Sequence, residues 1–186
     1  MAEQSNSGVS IERIEDLSIV SLKVSKKSPE SAREKLQLAS PLRVTGGDPR
    51  SVWLGPCQWL LVSNSTNPDS IVKNCQETLA GILHNAVDYS AALVVLRIVG
   101  LHARQILATG SGIDFRPGKF PIRTCCRTRL AQVAVVIVAE TPEQFDLYVD
   151  RSYGTYLNNW LTEAADILVH AAAFQGLRPF QSELLQ

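Results

Sequence analysis

Histidine, paired cysteines, excess charge and long apolar runs are what this 186-residue sequence has least of, and each shortage removes a class of function. The three histidines, His84, His102 and His170, show no H-x-x-x-H spacing, which excludes the two-histidine zinc helix. Four cysteines, Cys57, Cys75, Cys125 and Cys126, show no C-x-x-C spacing and signal neither a zinc site nor a disulfide framework. Reduced thiols in the cytoplasm are the expectation. Eighteen basic residues against eighteen acidic ones leave no net charge, so the footprint of a nucleic-acid binder is missing. Near-zero charge instead favours association. The longest apolar runs, Ala91 to Leu96 and Val133 to Ala139, fall far short of the ~20 residues that cross a bilayer. No membrane span is expected.

Reactive constellations are missing too. No G-x-S-x-G elbow is present, and no nucleophile is matched with a base and an orienting group. The glycines Gly110 and Gly112 follow a helical pattern, whereas phosphate loops follow a strand and open a helix. The adjacent Cys125 and Cys126 would face opposite ways on a strand, which argues against a thiol pair.

What is present is a packed domain. Hydrophobic residues make up 45% of the chain, enough for a substantial core in one domain. The organising stretch runs from Val87 to Gly112. Ala92 to Val99 is apolar except for Arg97 and reads as a strand covered on both faces, and Gly100 ends it. Ala103, Ile106 and Leu107 then fall on one helical face, with Gly110 and Gly112 expected to stop the helix through a left-handed turn.

Elsewhere, Leu17 to Val24 reads as a strand, and Ser28 and Pro29 as the start of a short helix that Pro41 ends. Val52 to Leu54 and Trp59 to Val62 read as two short strands separated by Gly55 and Pro56, a hairpin or a bent strand. Asn67 and Pro68 open a helix whose buried stripe runs from Ile71 through Cys75 to Leu83. Val133 to Val138 is a fully apolar strand. Phe145, Leu147 and Val149 alternate with Asp146, Tyr148 and Asp150, the pattern of a strand wet on one face. Ser152 is placed as the cap of a long helix with Tyr153, Leu157, Trp160, Leu161 and Leu168 on one side. Residues 1–16, polar and without the apolar core of a secretory signal, are expected to be a disordered tail, 17–170 the domain, and 171–186 a tail that packs on the domain or on a partner.

One segment stands apart. Arg116, Lys119, Arg123, Arg127 and Arg129 occur with no acidic residue between Asp114 and Glu140, amid Pro117, Gly118 and Pro121. Two readings stay open: a solvated loop, or a docking surface for an acidic partner or an anionic ligand. Few aromatics are interleaved for base stacking, which argues against nucleic acid.

Four stretches taken together resemble the gamma subunit family of heterotetrameric sarcosine oxidase: LGPCQWLLV at Leu54 to Val62, VDYSAALVVLRIVGLHARQILATGSGIDF at Val87 to Phe115, FPIRTCCRTRLA at Phe120 to Ala131, and FDLYVDRSYGTYLNNWL at Phe145 to Leu161. The resemblance implies an α+β fold, mostly antiparallel sheet with flanking helices, similar to the folate-binding domain of aminomethyltransferases and the N-terminal region of the tRNA-modification GTPase. The hairpins and separated helices of this chain agree, since they lack regular βαβ alternation. It further implies a cytoplasmic complex with alpha, beta and delta subunits that demethylates sarcosine oxidatively to glycine, releasing hydrogen peroxide and either formaldehyde or methylenetetrahydrofolate. FAD, FMN, NAD, zinc and tetrahydrofolate would be held by those other subunits. This chain would be inactive alone, with no catalytic, cofactor or metal residue of its own. The equivalent subunit of a related N-methyl amino acid oxidase or dehydrogenase, and a free-standing folate-binding protein, are the alternatives.

Overall fold

The structure, a computed structural model, describes residues 8–176. Nine strands and four helices follow the order β1 (Val9–Ile14), β2 (Ser18–Val24), α1 (Pro29–Leu36), β3 (Arg50–Gly55), β4 (Gln58–Ser63), α2 (Pro68–Thr78), β5 (His84–Asp88), β6 (Leu93–Gly100), α3 (Ala103–Gly110), β7 (Cys125–Leu130), β8 (Val133–Thr141), β9 (Gln144–Asp150) and α4 (Gly154–Gly176). They make a five-stranded sheet, β1-β6-β9-β8-β7, and a four-stranded sheet, β3-β4-β2-β5. Every pairing is antiparallel, as the expected α+β class requires.

Alternation along the strands explains the layering. Val94, Leu96 and Ile98 of β6 share one face with Phe145, Leu147 and Val149 of β9, and that face is covered by Ile106 and Leu107 of α3 and Leu157 and Leu161 of α4. Val20, Leu22 and Leu61 of the smaller sheet pack against Ile71 and Cys75 of α2 and Ala32 of α1. The remaining faces meet each other, joining Ile19, Val52, Leu60 and Val62 to Val95, Val136, Val138 and Tyr148. The result is four layers: helices, sheet, sheet, helices. Cys125 lies between the sheets and Cys126 under the helices, on opposite faces of β7.

One side of the two-sheet layer is stitched by residues 42–45. Cys125 N donates to Leu42 O at 3.0 Å and Val44 N to Arg123 O at 3.1 Å, while Trp53 N donates to Arg43 O at 3.2 Å. The edge strands β3 and β7 are joined through this segment.

Several expectations are corrected. Within the stretch 1–16 expected to be a tail, Val9–Ile14 is a strand: β1 pairs with β6 from Val9↔Gly100 to Ile14↔Val95, covering an edge that would otherwise be bare. Gly100 makes this possible. Its φ is +144°, and a Cβ there would sit 2.1 Å from Gly8 O. Gly110 does not turn left-handed; its value is close packing, because a Cβ there would meet the Trp160 ring at 2.4 Å. Gln37, at φ +51°, closes α1 before Pro41 is reached, and Asp150, not Ser152, caps the turn that precedes α4. The second half of the basic segment is strand β7, and α2 ends at Thr78 although its buried stripe was expected to reach Leu83, which is 80% exposed just ahead of strand β5. Residues 171–176 continue α4, and the rest of the expected C-terminal tail lies outside the described residues. No helix among the described residues is long and apolar enough to cross a membrane.

Candidate functional site

The strand expected to be wet on one face is wet on neither. Asp146 and Tyr148 of β9 are 1% and 2% exposed, because their face is turned onto the smaller sheet. A buried carboxylate needs partners, and strand register supplies them. Glu12 on β1, Arg97 on β6 and Asp146 on β9 are directly opposite one another across three strands. Arg97 grips Asp146 with both arms, Nε to Oδ1 at 2.7 Å and Nη2 to Oδ2 at 3.0 Å, and approaches Glu12 at 3.9 Å. From the other sheet Arg50 reaches in. Its Nη2 donates to Asp146 Oδ2 at 3.2 Å and Tyr148 Oη at 2.5 Å, and its Nη1 donates to Glu140.

The electrostatics follow from that packing. Burial works against the Arg50 charge, but Tyr148, Glu140 and Asp146 outweigh it and hold the guanidinium above its ordinary value. The hydrogen bonds that Arg97 donates to Asp146 do the same for Arg97. Burial raises the Tyr148 phenol and the Glu140 carboxyl; Arg50 pulls Glu140 back, and the Asp146 charge adds to the rise. Three donors occupy Asp146, and among the described residues every fully buried side-chain nitrogen or oxygen has a partner. Such a network fixes the two sheets against each other.

Three of the thiols and two of the imidazoles are similarly committed. Burial pushes Cys75 and Cys125 up to about 11 and Cys126 up to about 12, so these three stay protonated near neutrality. Cys125 Sγ points at the carbonyls of Arg43 and Trp53, 3.2 and 3.3 Å away. His84 Nδ1 meets Ile82 O and His102 Nδ1 meets Gln105 Oε1, each at 2.7 Å. No group of three or more His, Cys, Asp or Glu side chains is placed to hold a metal among the described residues.

Two clefts open off the inter-sheet layer. One, of about 370 Å³, is lined by Arg50, Arg97, Asp146, Glu15 and Asp48. The other, of about 380 Å³, has Leu54, Leu60 and Leu93 on its walls with Tyr89, Arg127 and Tyr153.

The five basic residues of the segment are exposed but do not form one patch. Arg116 and Lys119 sit on the turn between α3 and β7, and Arg116 pairs with Asp114 at 2.5 Å. Arg123 lies over Gly46 at the stitched side. Arg127 faces the second cleft, and Arg129 donates to Gln132 O in the β7–β8 turn at 2.8 Å. Sequence reasoning missed Arg50, Arg97, Glu140, Asp146 and Tyr148. Arg97, interrupting an apolar strand, was the signal, since a buried guanidinium demands a buried carboxylate.

This architecture places the chain in the class of two-sheet antiparallel α+β domains. The glycine cleavage system aminomethyltransferase T from Bartonella henselae has the same fold, with a TM-score of 0.59 at 14% identity over 83% of this chain and 45% of that one. Heterotetrameric sarcosine oxidase from Corynebacterium sp. U-96, solved in complex with pyrrole 2-carboxylate, gives a TM-score of 0.77 at 20% identity over 90% of this chain and 88% of the matched one. Sarcosine oxidase subunit gamma of Corynebacterium sp. (strain U-96) is 26% identical over 113 residues, 61% of this chain, which spans about half (54%) of that relative. Residues 32–167 match the sarcosine oxidase gamma subunit family, and the chain belongs to it.

Proposed function

We propose that this chain is a non-catalytic, interface-forming subunit of a cytoplasmic sarcosine oxidase, working beside alpha, beta and delta subunits. The assembly demethylates sarcosine oxidatively to glycine, reduces oxygen to hydrogen peroxide, and releases the one-carbon unit as formaldehyde or methylenetetrahydrofolate. FAD, FMN, NAD, zinc and tetrahydrofolate belong to the other subunits. One observation carries this reading: the fold is shared with a chain of a heterotetrameric sarcosine oxidase over nearly the full length of both. The ionic network supports the non-catalytic role, because its members are spent on each other.

Purification of the tagged chain from its source tests the proposal. The expected result is three companion chains, a yellow flavin chromophore and sarcosine-dependent peroxide formation by the complex. A colourless chain without companions, or sarcosine turnover by the isolated polypeptide, overturns it.

A further inference from the structure

The connection between α3 and β7, Ser111 to Thr124, contains no helix or strand, and its length is one at which ordered loops usually serve contact or catalysis. It is held firmly. Arg104 of α3 lies beneath it, donating Nη1 to Phe115 O at 2.5 Å and Phe120 O at 3.0 Å, and Nε to Pro142 O at 2.9 Å. The same guanidinium is 4.9 Å from the centre of the Phe145 ring. Phe115 and Phe120, each 3% exposed, pack edge-on at 5.2 Å. Both feet of the loop are therefore buried and bonded.

Between those feet the chain turns at Arg116-Pro117-Gly118-Lys119, closed by Lys119 N and Phe120 N, which donate to Arg116 O at 2.8 and 2.9 Å. The tip presents charge outward. The Arg116 side chain is 78% exposed, and Lys119 and Arg123 are exposed as well. Asp114 forks onto Arg116, Oδ1 to Nε at 2.9 Å and Oδ2 to Nη2 at 2.5 Å, fixing the direction of the guanidinium. One acid against three bases leaves the loop at +2. Ile122, 46% exposed, adds a small apolar contact.

We infer that this tip, with Arg123 beside it, is a preformed docking finger for an acidic surface on a companion protein chain; the inference rests on the subunit reading above. The loop is ordered before it meets anything, so little conformational freedom is lost on contact. Its charge selects carboxylates and steers their approach. Nucleic acid fits poorly, because the loop's two aromatic rings are buried as its feet and offer no face to a base.

The test uses the assembled complex from the source organism, with this chain tagged. The variant Arg116→Glu/Lys119→Glu reverses the tip where neither side chain touches the core. Companions are expected to dissociate at lower salt, with affinity at ~0.1 M salt reduced about tenfold or more, while the thermal midpoint of the isolated chain is unchanged. Companions held by the reversed variant at the same salt concentration as the wild type overturn the docking finger and leave the subunit reading intact. A wild-type chain that brings down no flavin-bearing companion overturns both.

Discussion

Two sets of arginines in this protein live under opposite conditions. Arg50 and Arg97 lie between sheets, shared among Asp146, Glu140, Glu12 and Tyr148. Arg116 and Arg123 stand in water at the tip and flank of a loop. Buried charges require partners to be tolerated, so the first set is locked into one arrangement that defines how the sheets face each other. Exposed charges contribute little to stability, which leaves the second set available for a neighbour. Arg104 connects the regimes: its guanidinium is partly buried, and it shapes the loop that displays the exposed set.

The comparison breaks hardest at Asp146. Asp146→Ala leaves Arg97 and Arg50 without their shared carboxylate inside the layer, and is expected to destabilise the fold by ~3–5 kcal/mol in denaturant unfolding. Replacing Arg97 and Asp146 together by Met and Leu is expected to recover most of that loss, since Arg50 keeps Glu140 and Tyr148 and the Glu12 that Arg97 leaves behind is exposed. A double variant as unstable as Asp146→Ala would mean that the network supplies net stability in addition to specificity.

A smaller effect is expected at the junction. Arg104→Ala frees the carbonyls of Phe115, Phe120 and Pro142 and is expected to cost about 1–3 kcal/mol, with hydrogen exchange rising in residues 111–124 before the sheets open. Uniform loss of protection across the sheets would place Arg104 in the global core instead.

Glu140 separates the regimes by pH. Its folded-state carboxyl is raised, so the protonated form favours folding; that contribution is complete below the ordinary glutamate value and disappears as pH rises through the raised one. Glu140→Gln keeps an acceptor for Arg50 without the charge. It is expected to equal the wild type at low pH and to exceed it slightly near neutrality, measured as unfolding midpoints across the acid range. Greater wild-type stability at neutral pH would show that the Arg50 ion pair outweighs burial. The smallest stability effect belongs to the tip, where Arg116→Glu/Lys119→Glu is expected to leave the thermal midpoint unchanged.

Strand and helix identity was largely legible where one pattern dominated. Leu93–Gly100 and Val133–Thr141 are apolar runs bounded by turn residues, and Asn67 does accept from Ser70 N at 2.8 Å ahead of Pro68. Strand β1 was hidden because it takes its stability from backbone pairing to β6 and from Glu12 opposite Arg97, neither of which is local in sequence. Asp146 and Tyr148 looked solvated for a related reason: alternation marks two faces but does not say what covers the polar one. Of the five basic residues singled out, Arg116 and Lys119 share the tip, whereas strand β7 carries Arg127 and Arg129 elsewhere.

Sequence by itself determined the two-sided strands, the helix stripes and family membership, because periodicity and residue pattern are written along the chain. Only the tertiary structure decided that two sheets stack face to face, which acids answer Arg97 and Arg50, and that a pinned loop holds its charges outward. Those outcomes depend on groups far apart in sequence, such as Arg50 and Asp146, whose meeting is set by register and layer packing.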